Sequence, residues 1–283
     1  MSSTTTRLPM PVRVVIVLAA GSAIWQLMSW INATVYGGEL TVATRFANAA
    51  LVCGLTVAMV YLARKHLDKR PWAGLGLGPV RSAGRPFLIG MVAFLVPSAV
   101  GLGVALVTGW VELTPQVSMV EILSWVALLV VLVFVFEALP EELIFRGYLQ
   151  RNLMTAMSPW MAAAVQALMF TVFGTALWVV SEGWGVLAER GILFLGVGFV
   201  LGLLRIQTGS VWTPIGFHLA FQVVAQNVLS ERFVTNNEPG LMAAAMVSAF
   251  VFGSTITELL HKGDINWRTP EPDEPAPAES AAR

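Results

Sequence analysis

The stretch Val126–Leu153, VALLVVLVFVFEALPEELIFRGYLQRNL, decides how this chain is read. Eleven apolar residues run without interruption, and then Glu137, Glu141, Glu142 and Arg146 follow. A charged side chain at mid-bilayer costs roughly 2.5–3.5 kcal/mol even on insertion scales, so several together would cost on the order of 10 kcal/mol if all were deep and unpaired. Leucine would span the membrane better, so such residues point to function. Helical spacing sharpens the point. Glu142 and Arg146 are four apart and can pair on one face. Glu137 and Glu141 are also four apart and like-charged, a low-dielectric setting that suits a general acid/base. Pro140 removes a backbone hydrogen bond and is expected to kink the helix. Carbonyls freed at a kink must be met by neighbours or water, so a kink beside three carboxylates implies a hydrated pocket. The opposing reading is purely structural: Arg146 and Arg151 snorkel to the interface with Glu142 as counter-ion. The pair Glu141-Glu142 speaks against it, because a topology signal needs no carboxylates.

The rest of the chain fits a membrane setting. Of 283 residues, 56% are hydrophobic and 12% charged, about half the charged share of a soluble domain, and mean hydropathy is +0.73. The net charge is zero and no basic patch carries interleaved aromatics, so nucleic acid is not an expected partner. Cys53 is the single cysteine, which excludes an intrachain disulfide or a cysteine metal site. A spanning helix needs about 20 mostly apolar residues. Eight candidates emerge: Val14–Ile31, Ala43–Ala63, Pro86–Val107, Val120–Leu143, Trp160–Val180, Ile192–Ile206, Val211–Leu229 and Leu241–Leu260. The sixth is short and glycine-rich, the weakest as an independent span. With a cytoplasmic N-terminus, fourteen Lys and Arg fall inside and only Arg45, Arg190 and Arg232 outside, as the positive-inside rule demands.

The expected organisation is an all-α polytopic bundle. A cytoplasmic N-terminal segment covers 1–13, an integral membrane domain 14–262 with its core at 120–229, and a disordered cytoplasmic tail 263–283. The tail is rich in Pro, Ala and Glu and lacks the apolar area to fold. The first apolar stretch reads as a retained signal anchor. The basic loop Arg64–Arg85 reads as an interfacial segment anchored by Trp72. The expected location is a bacterial cytoplasmic membrane, with both termini inside.

A second constellation lies in TGSVWTPIGFHLAFQVVAQN, residues 208–227. His218 and Gln222 share a helical face, and Gln226 extends the row. His218 is the one histidine inside a span; His66 and His261 lie at loop edges. It serves either as a helix–helix hydrogen-bonder or, facing a carboxylate pair, as an acid/base or oxyanion donor. Gly198 and Gly202 allow close packing, expected here to hold the fourth and seventh spans together.

These residues resemble the CPBP family of intramembrane proteases, named for CAAX-processing and bacteriocin-processing members. Glu141-Glu142-Leu143-Ile144-Phe145-Arg146 matches the E-E-x-x-x-R motif, and Gly147 continues it. The later run matches from Gly198 through Thr208-Gly209-Ser210, Trp212 and Pro214 to His218. The resemblance covers roughly Val120 to Val228. It implies Glu141 as the base that activates water, Arg146 paired with Glu142, and His218 binding water or the oxyanion. It further implies an amide donor four residues on, where Gln222 stands in place of the usual Asn. The family also carries F-x-x-x-H in the fifth span, and here Phe170 is followed by Gly174. Glycine there leaves room for a water or substrate group, and one His with carboxylates is a poor zinc ligand set, so no cofactor or metal is expected.

Three functions remain open. The first is a glutamate-dependent intramembrane endopeptidase acting on a membrane-associated peptide or protein. The second is a catalytically inactive binding or scaffold protein on the same fold. The third is a small proton-coupled transporter, disfavoured by the lack of an inverted repeat.

Overall fold

The computed structural model describes residues 7–273. The expectations for 1–6 and 274–283 lie outside that range. Eight long helices follow one another. They are α1 (Met10–Thr34), α2 (Val42–Asp68), α3 (Gly84–Val107), α4 (Met119–Met154), α5 (Pro159–Glu182), α6 (Val186–Thr208), α7 (Trp212–Val228) and α8 (Glu238–His261). The chain is an all-α, multi-pass membrane bundle. Local chemistry sets the helix ends. Thr41, Ser118 and Asn237 cap α2, α4 and α8 by accepting from backbone N–H groups. Prolines open α1, α5 and α8 in the first turn, and Gly209 at φ +63° closes α6.

Seven of these helices are long and apolar enough to cross a membrane. The exception is not the glycine-rich sixth, which extends to 23 residues. It is α7, with 17 residues, or about 25 Å at 1.5 Å per residue. Every residue from Trp212 to Phe221 is buried, so α7 is a core helix wrapped by its neighbours. The eight expected spans are thus eight helices, of which α7 is enclosed by protein rather than facing lipid.

Glycines make that enclosure possible. A Cβ on Gly90 of α3 would stand 1.9 Å from the Thr213 carbonyl oxygen, and one on Gly216 of α7 2.1 Å from that of Phe87. The two backbones touch where both lack side chains. A two-stranded antiparallel ladder, β1 (Leu113–Pro115) with β2 (Phe233–Thr235), joins the segment entering α4 to the segment leaving α7.

The α4 helix does not simply break at Pro140. It widens into π geometry over Phe134–Ala138, returns to α over Leu139–Glu142, and widens again over Leu143–Leu149. The Leu139 N–H bonds back to the Phe134 carbonyl, so the missing proline donor is absorbed by a wide turn. Such π turns gather at functional sites.

The loop after α2 is more than an interfacial segment. Leu75 is fully buried, and the Gly76 carbonyl accepts from the Val211 N–H at 2.9 Å. The Gly78 carbonyl accepts from the Trp212 indole at 3.1 Å. The loop therefore braces the turn that launches α7.

The first part of the tail is docked rather than loose. Met154 O accepts from the Glu271 N–H at 2.8 Å, and the Arg151 guanidinium donates to the carbonyls of Glu271 and Pro272. Polar contacts hold it where apolar area does not suffice.

Candidate active site

The wide turns of α4 and the enclosed α7 bring both sequence constellations together. Glu142 Oε1 accepts from Arg146 Nη1 at 2.8 Å and lies 2.7 Å from His218 Nδ1. Glu142 and Arg146 are fully buried and His218 is 1% exposed. Arg146 Nη2 donates to the Gly198 carbonyl at 3.1 Å, and its guanidinium lies 4.7 Å from the Phe170 ring centre. Charge pairing, a main-chain acceptor and an aromatic face together offset the desolvation of the guanidinium.

Glu141 stands apart from this network. Its Oε2 is 3.9 Å from His218 Nε2, and its side chain keeps 14% exposure. That separation is too long for a hydrogen bond and suits a bridging water. One glutamate thus grips the imidazole from behind, while the other faces its free nitrogen. Glu137, on the first wide turn, accepts from Gln226 Nε2 at 3.0 Å. Gln222 is half-buried and has no hydrogen-bond partner among the described residues.

Of the five expected site residues, Glu141, Glu142, Arg146 and His218 converge. Gln222 lies one turn beyond His218 with its amide free. Gly174 does not open a space for water or substrate. A Cβ there would meet the Phe194 ring at 3.3–3.4 Å, so an aromatic side chain fills the volume that glycine leaves. Gly198 and Gly202 also act differently from expectation. They press α6 against Ala163 and Ala167 of α5, and their bare carbonyls receive Arg146 and Gln150 of α4, the latter at 2.9 Å.

Sequence reading missed a second buried polar cluster. Asp68, fully buried, accepts from Arg64 at 2.9 Å, from the Tyr148 hydroxyl at 2.9 Å and from Asn152 at 3.2 Å, and it pairs with Arg13. Its signal was a lone acid inside the basic run ARKHLDKR. The missed partners Tyr148 and Asn152 lie on α4 just past Arg146.

A bundle that buries a glutamate–arginine–imidazole network beside a second, partly open carboxylate is a polytopic membrane protein with a cluster of ionisable side chains in its interior. Residues 123–224 match the family model described as Type II CAAX prenyl endopeptidase Rce1-like. That segment is thus similar to CAAX-type intramembrane proteases, and it holds both motifs. No curated protein and no solved structure matches the chain.

Proposed function

We propose that the protein is a glutamate-dependent intramembrane endopeptidase acting on membrane-associated peptides or proteins. The observation that carries this reading is the 3.9 Å gap between Glu141 and His218 Nε2, with Nδ1 held by Glu142. A carboxylate shared with a guanidinium only accepts, so Nδ1 carries the hydrogen and Nε2 turns to Glu141. A water held between them passes its proton to Glu141 as its oxygen attacks the scissile carbonyl carbon. The oxyanion is met by the free Gln222 amide, while His218 Nε2 accepts a hydrogen bond from the water and orients it. Glu141 then returns its proton to the departing amine, and the C–N bond breaks. Arg146 touches no reacting atom and positions Glu142.

The charge bias of the loops supports a cytoplasmic opening and both termini inside a bacterial cell membrane. The test is cleavage of a membrane-proximal peptide by purified protein in detergent. Glu141→Gln is expected to lower kcat by about 10²–10⁴-fold, the range of a general base, with thermal unfolding unchanged. Cleavage that survives this substitution sinks the mechanism.

The Phe194 ring over Gly174 favours one second reading, a binding protein in which the cleft holds a peptide without cutting it. Activity of the unaltered protein removes it. Hydrolysis appearing only in a Gly174→His, Gln222→Asn double variant supports it.

A further inference from the structure

At the end of the bundle where α2 and α4 finish, three arginines from three parts of the chain close on one carboxylate. Asp273 Oδ1 lies 3.0 Å from Arg64 Nη2 and 3.4 Å from Arg151, and Oδ2 lies 3.2 Å from Arg7. The side chains of Asp273 and Arg64 are 3% and 2% exposed. Arg151 adds hydrogen bonds of 2.9 and 3.0 Å to the carbonyls of Glu271 and Pro272. The cleft thus reads a carboxylate together with the main chain leading to it, which is peptide recognition rather than ion storage.

We propose that Arg7, Arg64 and Arg151 form a docking site for an extended acidic peptide, and that the chain's own Glu271–Pro272–Asp273 segment is its exchangeable occupant. The segment has neither helix nor strand. Pro270 and Pro272 remove two backbone donors. Polar contacts dominate its hold, and Ile265 and Trp267 are only half-buried. An empty cleft leaves Arg7, Arg13, Arg64 and Arg151 against Asp68 alone, a net charge that attracts any acidic chain. The inference does not rest on the peptidase reading, since the cleft shares no residue with the Glu141–His218 site.

The test uses the full chain in detergent at neutral pH, with a fluorescent peptide of residues 263–273 as probe. Full-length Asp273→Asn, whose own tail has lost its carboxylate, is expected to bind the probe roughly tenfold to hundredfold tighter than the unaltered chain, the weight of a charge-assisted contact. Adding Arg64→Met to that variant is expected to abolish the gain. Equal binding by both chains, no binding by either, or indifference to Arg64 overturns the proposal. So does displacement of the probe by anionic phospholipid but not by unlabelled peptide, which would assign the cleft to a lipid phosphate. Should Asp273→Asn fail to fold, a protease site placed between Lys262 and Asp264 lets the tail be cut in the folded protein. The cut tail is then expected to exchange with added peptide, and a tail that stays put against excess peptide overturns the idea.

Discussion

At the residue scale, the fold places two glutamates adjacent in sequence in different surroundings. Glu142 is locked between Arg146 and His218 with no exposure, and Glu141 keeps 14% of its side chain exposed. Removing Arg146 leaves Glu142 without its counter-charge. Breaking a buried pair from one side typically costs about 3–5 kcal/mol, so Arg146→Met is expected to lower the thermal midpoint in detergent sharply as well as abolish cleavage. Glu141→Gln should touch activity alone, so paired melting and cleavage measurements distinguish the two roles. Much of this was legible in the sequence, because four-residue spacing on a helix fixes which side chains meet. The partner of His218 was not legible, since it depends on how α7 is rotated against α4. Nor was Phe194 at Gly174, because the space left by a glycine is filled by whichever neighbour reaches it. Gly174→His alone is expected to destabilise the fold by crowding Phe194. Gly174→His with Phe194→Ala is expected to recover part of that loss in the same melting assay.

At the element scale, backbone contact and helix phase do the positioning. Gly90 and Gly216 let α3 and α7 meet main chain to main chain. Gly216→Ala places a methyl group about where the Phe87 carbonyl oxygen stands, and backbone cannot step aside as a side chain can. Loss of monodisperse protein on size exclusion is the expected outcome. The wide turn Phe134–Ala138 holds one residue more than an α turn would. Deleting Val135 should therefore be tolerated by the fold. A deletion at Leu129 should rotate one half of α4 against the other by about 100° and destroy it. Sequence periodicity located α4 but could not foresee these turns, because Pro140 predicts a disturbed backbone and not the form of the disturbance. The enclosure of α7 was not legible for a related reason. Apolar composition does not tell a lipid-facing helix from one buried in protein.

At the scale of the whole molecule, charge sits at the ends and packing in the middle. The arginines that the sequence assigned to one side of the membrane converge around Asp68 and Asp273. A tail judged too polar to fold is held there up to Asp273. Burial works to raise the Asp273 carboxyl, but the hydrogen bonds and charge of Arg64, joined by Arg151 and Arg7, hold it below the usual carboxylate range. Asp68 faces it from behind Arg64. A depressed folded value means that docking is fully stabilised above the unfolded value of about 3.9 and is lost as pH falls through the lower one. Protease nicking of the tail should thus stay low from neutral pH down to about 4 and rise only below it. The opposite end of the bundle is pinned differently. The ladder of Leu113–Pro115 with Phe233–Thr235 fastens the start of α4 to the finish of α7, and Arg232 stacks on Trp125 4.1 Å away beside it. The helices bearing Glu141 and His218 are therefore clamped at both ends, by the ladder at one and by the loop carrying Gly76 and Gly78 at the other, so the two facing groups keep their spacing with nothing bound between them.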